Sequence, residues 1–218
     1  RALLESTSTV EYTRALREKS ISIEDTYERA SAETYEMSAN ATLGKLTVED
    51  TVTGYLRYSD PSDDTPQECE FDEPLEPRAI ETTGLFITVP SDVEALILEK
   101  VESQDEYLSA LHAIEHALIS LFPMEVLCDR GDIGGLSTPS HGQTTGGTIF
   151  VHDAHPGGAG LTRQAFKQLD RLLEKTLRLL QDCSCQEGCP SCIHSPHCGN
   201  ANRDLNKELA IELLVELQ

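Results

Sequence analysis

The feature that most constrains this chain is a cluster of cysteines near its C-terminal end. Five of its seven cysteines lie in the stretch DCSCQEGCPSCIHSPHCGN, at Cys183, Cys185, Cys189, Cys192 and Cys198. Their spacing is C-x-C-x3-C-x2-C-x5-C, and a tight CPSC turn at Cys189 and Cys192 lets two thiolates reach one tetrahedral ion. A loop whose side chains bind one ion has a fixed shape, so it fixes the angle between the segments before and after it. The cluster therefore predicts an architectural metal site rather than a catalytic one.

Thiolate ligands favour zinc, with an iron–sulfur cluster as the alternative. A disulfide knot suits a cytoplasmic chain poorly, because thiols are kept reduced there. A thioredoxin-type CxxC needs a preceding strand and a helix that begins at its first cysteine, and SCQEGCPSCIHSP supplies neither. Since five cysteines compete for four positions, the pair that joins the CxxC is either Cys183 with Cys185, or one of these with Cys198. His194 and His197 are reserve ligands.

The chain is long enough and hydrophobic enough to form a core, so it does not need its cysteines to stabilise a very small fold. With 218 residues and 39% hydrophobic content, the chain can form one large domain or two small ones. It contains no apolar run long enough to span a membrane, and RALLESTSTV lacks the regions of a signal peptide. We therefore expect a cytoplasmic protein without a membrane partner. Because the chain begins with Arg1 rather than Met, we also expect that it is a fragment of a longer protein.

The charge balance is strongly acidic. The chain has 38 Asp and Glu against 17 Lys and Arg, a formal charge of -21. Such a balance usually argues against nucleic acid, because binding phosphates requires cations. Adaptation to high salt explains it differently, since the Debye length is about 3 Å at 1 M ionic strength and self-repulsion is screened. We expect a halophilic surface in preference to an acidic regulatory one, so the net charge alone does not exclude DNA.

The hydrophobic pattern changes near Pro90. Before it, the runs VEYTRAL, SISIEDTY, TVTGYLRYS and GLFITVP predict strands, and the proline-rich and acidic stretch at 59–77 predicts a loop. After it, TIFVHD predicts a strand between segments of helical period. The predicted fold is mixed α/β, or α+β: a β-rich portion at 1–90, followed at 91–218 by a helical α/β domain with a four-cysteine zinc loop.

Four segments in the second portion predict helices. SDVEALILEKV begins with a Ser-Asp cap signal, and EYLSALHAIEHALISLF has a broad apolar face that ends at Pro123. One long helix is predicted from about 160 to 180, directly before the cysteines. NRDLNKELAIELLVELQ predicts the last helix.

The stretch HAIEH resembles the H-x-x-E-H motif of one class of zinc peptidases. His112 and His116 are four residues apart and share a helix face, with Glu115 beside them. A peptidase also needs a further carboxylate ligand and a cleft, and the sequence indicates neither. We expect two histidines whose hydrogen bonds are satisfied within a buried helix, and keep a second metal site or a hydrolase as alternatives.

The glycine-rich stretch HDAHPGGAG raises the question of phosphate binding, since a strand, a glycine turn and a helix N-terminus form an anion site. Asp153, Gly157, Gly158 and Gly160 occupy the corresponding positions. The stretch matches neither the Walker A nor the dinucleotide-binding pattern. We expect structural turns and no nucleotide site.

A basic stripe is predicted on the helix before the cysteines. It consists of Arg163, Lys167, Arg171, Lys175 and Arg178, which fall within an arc of about 120° opposite a leucine-rich face. A charged stripe is usually a solvated face. In so acidic a chain, contact with a nucleic-acid backbone and docking to an acidic partner also remain open.

Several ordered segments resemble the MrfA-like zinc-binding domain. They are ALHAIEHALISLFP, VLCDRGDIGGLS, TIFVHDAHPGGAGL and CSCQEGCPSCIHSPHCGNANRDLNKELA. That domain forms the C-terminal part of YprA/MrfA-type superfamily 2 DEAD/DEAH-box DNA helicases, which act in DNA repair. The resemblance covers about 90–218, and 1–90 resembles the β-rich connecting region of those helicases more loosely.

The resemblance implies a zinc ion held by Cys183, Cys185, Cys189 and Cys192, with Cys198 as the substitute. It implies that HAIEH is a packing motif, and that the full-length relatives move along single-stranded DNA with the hydrolysis of ATP. This sequence has neither a Walker A lysine loop nor a DEAH box. We therefore expect an accessory region that guides single-stranded DNA through the basic stripe and braces motor domains of the same polypeptide, where ATP binds. The alternatives are a separate zinc-stabilised interaction module and a zinc hydrolase that uses HAIEH.

Overall fold

The computed structural model of the chain describes residues 10–30, 39–60 and 65–218. Expectations for 1–9 and for 61–64, including Pro61, lie outside the described residues. Within them, the elements are β1 (Tyr12–Ala30), β2 (Asn40–Tyr58), β3 (Gln67–Glu70), β4 (Arg78–Thr88), α1 (Ser91–Leu98), α2 (Gln104–Glu125), a 3-10 turn (Arg130–Asp132), β5 (Ile133–Thr138), β6 (Thr148–Asp153), α3 (Leu161–Phe166), α4 (Leu169–Asp182) and α5 (Lys207–Glu216).

The described strands form one antiparallel sheet in the order β1-β2-β4-β6-β5, with β3 added beside β2. The mixed α+β class expected from the sequence is confirmed. Strand β4 precedes the expected boundary at residue 90 and pairs with β6, which follows it. The sheet therefore contains strands from before and after residue 90. The division into two domains stays a prediction.

Strands β1 and β2 are each 19 residues long and pair along their whole length. Most of VEYTRAL and all of SISIEDTY, which the sequence suggested as separate runs, belong to the single strand β1. Register shifts after Leu16, Ile23 and Thr26 bend that strand and interrupt its alternation. The interruption explains why the pattern resembled two short strands.

The two faces of the sheet have different cores. Leu85 and Ile87 of β4 face the large core under the helices, whereas Phe86 between them faces a smaller cluster with Phe150. This follows from the alternation of side chains along a strand. Helix α2 crosses the sheet on the large-core side and is buried along most of its length. The residues that it presents to the sheet are therefore held rigidly.

The loop after β5 connects the two edges of the sheet. The Gln143 side chain accepts a hydrogen bond from the Ile23 backbone N–H and donates one to its C=O, both at 2.8 Å. His141 Nε2 lies 2.9 Å from the Ile21 carbonyl oxygen. Because Ile21 and Ile23 belong to strand β1 and the loop leaves strand β5, these bonds link the two ends of the sheet. The seam between its edges lies beside α2.

Three sequence expectations about helices are corrected. Helix α2 continues through Pro123 to Glu125, because a proline in the last turn removes only one hydrogen bond. The Ser-Asp signal does not cap α1, whose N-cap is Pro90 without a side-chain bond. The single helix expected at 160–180 is two helices, broken at Gln168 (φ -133°, ψ 32°).

The break has a packing reason. Phe166 and Leu169 lie on either side of it, and both are at most 1% exposed. The Gln168 side chain donates to the Glu125 carbonyl oxygen at 3.2 Å and holds the break against the end of α2. The change of direction thus lets α3 and α4 bury apolar residues in the same core.

Two strands were not predicted from the sequence. Strand β3, which contains Cys69, lies within the expected loop at 59–77. Strand β5 lies within the segment EVLCDRGDIGGLSTPSHGQTTGG, which is rich in Gly and Ser and for which no strand was predicted. Among the described residues, no helix combines the length and the apolar character needed to cross a membrane.

Candidate metal centre

Four of the five clustered cysteines converge in space. The Sγ–Sγ distances are 3.5 Å from Cys183 to Cys185 and to Cys189, 3.4 Å from Cys185 to Cys192, and 3.7 Å from Cys189 to Cys192. A tetrahedral zinc ion with Zn–S bonds of about 2.3 Å separates its sulfur ligands by roughly 3.8 Å. The sulfurs of an iron–sulfur cluster lie farther apart, because the cluster atoms stand between them. The arrangement fits a single ion.

The turn that carries Cys189 and Cys192 is formed locally. The backbone N–H groups of Cys192, Ile193 and His194 all donate to the Cys189 carbonyl oxygen, at 3.0 to 3.1 Å. Gly188 enters the turn with φ +116°, and a Cβ there would come within 2.6 Å of the Ile193 side chain. The sequence GCPSC therefore folds into this shape largely by itself.

The thiols differ in how readily they lose a proton. A hydrogen bond from the Ser191 backbone N–H, helped by Cys183, lowers the pKa of Cys189 to about 7. Burial, followed by the contact with Cys185, raises the pKa of Cys192 to about 12. Since a metal binds the thiolate, loading of the site releases protons.

Lys207 connects the cysteine loop to α5. This buried lysine is the first residue of α5, and its Nζ donates to the carbonyl oxygens of Cys183 and Cys185 at 2.6 and 2.7 Å. The same nitrogen lies 3.5 Å from the Cys185 Sγ. Cys183 is the C-cap of α4. The loop therefore ties the end of α4 to the start of α5, and a cation offsets the negative charge of four thiolates.

Cys198 does not join the four. It lies with His112 and His116 in a second group, whose ligand atoms are all within 4.8 Å of one another. His194 and His197, the reserve ligands, belong to neither group that the described residues form. Burial raises the pKa of Cys198, but hydrogen bonds from His112 and His116 outweigh it and bring the pKa down to about 6.

The segment after Cys198 has an unusual backbone. Ala201, Asn202 and Asp204 have φ values of 59°, 63° and 56°, in the left-handed region that non-glycine residues seldom adopt. The Asn202 side chain holds the segment by accepting from the Ser195 N–H at 2.7 Å and donating to the Ser195 carbonyl at 2.9 Å. Backbone strain held by such bonds is typical of functional sites.

A cleft of about 280 Å³ opens beside the second group, at the seam between β1 and β5. Its walls include three cations, Arg17, Lys19 and Arg130. Arg130 donates to the Ser195 Oγ at 2.9 Å, while its Nη1 is buried without a partner among the described residues. Glu115 also lines the cleft. The peptidase interpretation of HAIEH needed a carboxylate as third ligand, and the structure places Cys198 there.

In the glycine-rich stretch HDAHPGGAG, the backbone N–H groups of the turn already bind an anionic group of the protein, the Asp153 carboxylate. Asp153 is fully buried, and its Oδ2 accepts from the backbone N–H groups of Ala159 and Gly160 at 2.7 Å. Its Oδ1 accepts from the Thr162 N–H at 2.8 Å. A phosphate at this turn would have to displace the carboxylate, so the geometry agrees with the expectation of a structural turn.

The basic stripe is divided by the break between α3 and α4. Arg163 and Lys167 are exposed on the first part, and Arg163 lies over the Tyr27 ring, 5.3 Å from its centroid. On the second part, Glu125 pairs with Lys175 and lies 3.6 Å from Arg171, and Arg178 pairs with Glu174. The structure does not arrange the five residues as one continuous row of unpaired charges.

Two residues of these sites, Lys207 and Arg130, were not predicted from the sequence. No local pattern marks either residue, because a lysine in NKELA or an arginine in DRGD has the spacing of an ordinary surface residue. Their roles follow from contacts with segments far away in the chain.

A family model described as the MrfA Zn-binding domain matches residues 114–193. The match includes the four converging cysteines and His116, but neither His112 nor Cys198. An uncharacterized protein of Methanocaldococcus jannaschii is 37% identical over 110 residues, which are 49% of this chain and 98% of that protein.

Two longer relatives are named as helicases. The uncharacterized ATP-dependent helicase YprA of Bacillus subtilis is 37% identical over 83 residues, 38% of this chain and 11% of that protein. The ATP-dependent helicase hrq1 of Schizosaccharomyces pombe is 28% identical over 171 residues, 72% of this chain and 15% of that protein. The chain thus corresponds to a small part of either helicase.

The fold also matches a solved structure. The crystal structure of the DUF1998 helicase MrfA bound to DNA aligns with a TM-score of 0.65 and 22% identity, over 96% of this chain and 26% of that one. At this identity, the likeness shows that the fold is shared.

Proposed function

Because this chain belongs to the family of proteins with the MrfA Zn-binding domain, we propose that it is the zinc-stabilised accessory region of a cytoplasmic, ATP-dependent DNA helicase. The observation that carries the proposal is the extent of the match with the helicase hrq1, which covers 72% of this chain. A match of the zinc loop alone would suit a separate interaction module equally well. The longer match extends the likeness to the sheet and helices around it.

The zinc ion has an architectural role in this proposal. Four thiolates complete a tetrahedral shell and leave no position for substrate. The ion, together with Lys207, fixes the angle between α4 and α5. A rigid pair of helices can transmit force to neighbouring domains without bending, as bracing a motor requires.

ATP binding and hydrolysis belong to motor domains of the same polypeptide. The chain accounts for 11% of YprA and 15% of hrq1, which leaves most of those proteins for other functions. The role in DNA repair that the sequence resemblance implies is part of the same proposal.

Contact with single-stranded DNA is assigned to the exposed cations of α3 and α4. Arg163, Lys167 and Arg171 are exposed, and of these only Arg171 has a carboxylate partner among the described residues, at 3.6 Å. Lys175 is half-buried against Glu125 and supports the helix more than it faces a ligand. The first half of the predicted stripe is therefore the better candidate for phosphate contacts.

The test is a charge reversal of the three exposed cations. We expect Arg163→Glu, Lys167→Glu and Arg171→Glu together to weaken binding of a single-stranded oligonucleotide, and to reduce the slope of log K against log salt by about 2. The slope falls because fewer counterions are released. Fluorescence anisotropy over a salt series measures both quantities.

The matched control reverses three exposed arginines elsewhere, Arg14, Arg29 and Arg78. It changes the net charge by the same amount, so a general repulsion would affect both variants alike. Equal losses in the two variants would refute the assigned face. If the unaltered protein does not bind the oligonucleotide at all, the interaction module becomes the better proposal.

A further inference from the structure

The second group of ligands has the dimensions of a metal site. His112 Nε2 lies 3.6 Å from the Cys198 Sγ, and all three ligand atoms are within 4.8 Å of one another. With Zn–N bonds of about 2.0 to 2.1 Å and a Zn–S bond of about 2.3 Å, a tetrahedral ion separates nitrogen and sulfur by about 3.6 Å. The observed N–S distance matches the separation that an ion would impose, and it is also within the range of an N···S hydrogen bond.

Both histidines are oriented as metal ligands usually are. His116 Nδ1 lies 2.6 Å from the Ile193 carbonyl oxygen, and His112 Nδ1 lies 3.3 Å from the Asp204 carbonyl oxygen. A carbonyl only accepts, so each Nδ1 carries a proton, and Nε2 is the nitrogen left to face a metal. Backbone carbonyls that fix histidine in this way are the common outer shell of a metal site.

The Cys198 Sγ also lies 2.8 Å from the Asn200 Oδ1, so three ligand atoms and an amide oxygen converge in a partly buried place. Without a metal, a proton shared between His112 Nε2 and the Cys198 Sγ links two of the three atoms. A metal ion would replace that proton and bind all three atoms at once.

The group is rigid and separate from the four-cysteine centre. Two ligands lie one turn apart on α2, and the third comes from the segment whose left-handed residues Asn202 fastens to Ser195. Among the ligands of this group, the family match includes only His116. The site is therefore not implied by the match to the zinc-binding domain.

We propose that His112, His116 and Cys198 bind a second metal ion of the zinc type, whose fourth position opens into the cleft between β1 and β5. Two nitrogens and one sulfur are a borderline-soft ligand set, which suits zinc. The three cations of the cleft, among them Arg130 with its buried Nη1, favour water or an anion at the fourth position.

The first test is the metal content of the purified protein. We expect two zinc ions per chain by mass spectrometry of the metal, and one ion in Cys198→Ala and in His112→Asn. The matched controls are Cys69→Ala and His155→Asn, which remove the same residue types from outside both groups and should retain two ions. Circular dichroism shows whether each variant is folded.

One ion in the unaltered protein and one in folded Cys198→Ala would overturn the proposal, as would two ions in both. One ion in the unaltered protein and none in folded Cys198→Ala would support this site and instead contradict the four-cysteine centre. The two proposals therefore fail separately. His112→Asn gives the same reading if Cys198→Ala does not fold.

The second test replaces zinc with cobalt in the protein and in Cys198→Ala. The difference between the two spectra should show a weak sulfur-to-cobalt charge-transfer band from one thiolate, rather than the intense band of four. Inorganic phosphate should shift the visible bands of this ion, because its fourth position is open. A difference spectrum without a thiolate band would overturn the site, and bands that phosphate leaves unchanged would overturn the open position.

Discussion

Gly135 determines how closely α2 can approach the sheet. A Cβ at this position would lie 2.7 Å from the Glu115 Oε1 and from the Ile119 Cδ1, and 2.9 Å from the Phe150 carbonyl oxygen. Since His112 and His116 are on the same helix, the missing side chain also sets the position of the second ligand group. The absence of a side chain at Gly135 thus helps to position two ligands that lie one turn apart on α2.

We predict that Gly135→Ala lowers the free energy of unfolding by about 1–3 kcal/mol, because the added methyl group must push α2 away from β5. Urea denaturation followed by circular dichroism measures it. The matched control is Gly131→Ala, where the new Cβ would have nothing within 4 Å. At Gly131 the substitution should leave the stability unchanged or raise it, because alanine lowers the entropy of the unfolded chain. A loss in Gly131→Ala as large as in Gly135→Ala would therefore contradict the role of close packing.

The relative position of α4 and α5 depends on a single buried contact. Helix α4 ends before the cysteine loop and α5 begins after it. Lys207, in the first turn of α5, donates to two carbonyl groups of the loop. Lys100 also contacts α5, through an exposed ion pair with Glu212 at 2.6 Å. Lys207 is buried and Lys100 is exposed. Substitutions at the two positions therefore separate the effect of a buried hydrogen bond from that of a surface charge.

We predict that Lys207→Met lowers the free energy of unfolding by about 2–4 kcal/mol and speeds the loss of metal to a chelator. The carbonyls of Cys183 and Cys185 would lose a charged donor, and the thiolates would lose a compensating cation. Lys100→Met should cost less than about 1 kcal/mol, since exposed ion pairs contribute little. Chemical denaturation and a colorimetric zinc-release assay measure both effects, and equal release rates in the two variants would contradict the role of Lys207.

The whole molecule carries a formal charge of -21, and several of its few cations are already paired with carboxylates. Each such pair also neutralises one carboxylate, so the excess of 21 negative charges is carried by the unpaired carboxylates. Self-repulsion of this kind weakens as salt shortens the Debye length, from about 10 Å at 0.1 M to about 3 Å at 1 M.

We predict that raising KCl from 0.1 to about 2 M increases the melting temperature by about 4–8 °C, the shift that ~2 kcal/mol produces in a chain of this size. Differential scanning calorimetry measures it. A variant with Asp72→Asn, Glu73→Gln and Glu76→Gln, all exposed, should gain less from salt because it has less repulsion to relieve. Equal gains would mean that salt acts on apolar burial and not on charge.

The sequence by itself determined the features that depend on neighbours in the chain. The turn at Cys189 and Cys192 follows from GCPSC, because its hydrogen bonds join residues at most five positions apart. The strand TIFVHD and the helix that contains HAIEH follow from their periods. The mixed fold class and the CxxC turn could therefore be predicted from the residues alone, whereas the choice of four among five cysteines came from the family resemblance.

The tertiary structure decided everything that depends on which segments meet. Cys198 and His112 are 86 positions apart, and no spacing rule connects them. The break at Gln168 arises because the end of α2 packs against it, and β5 is a strand because β6 pairs with it. Local patterns reflect backbone geometry within a few residues, whereas a site assembled from distant segments depends on the packing of the whole core, in which each contact is decided together with all others.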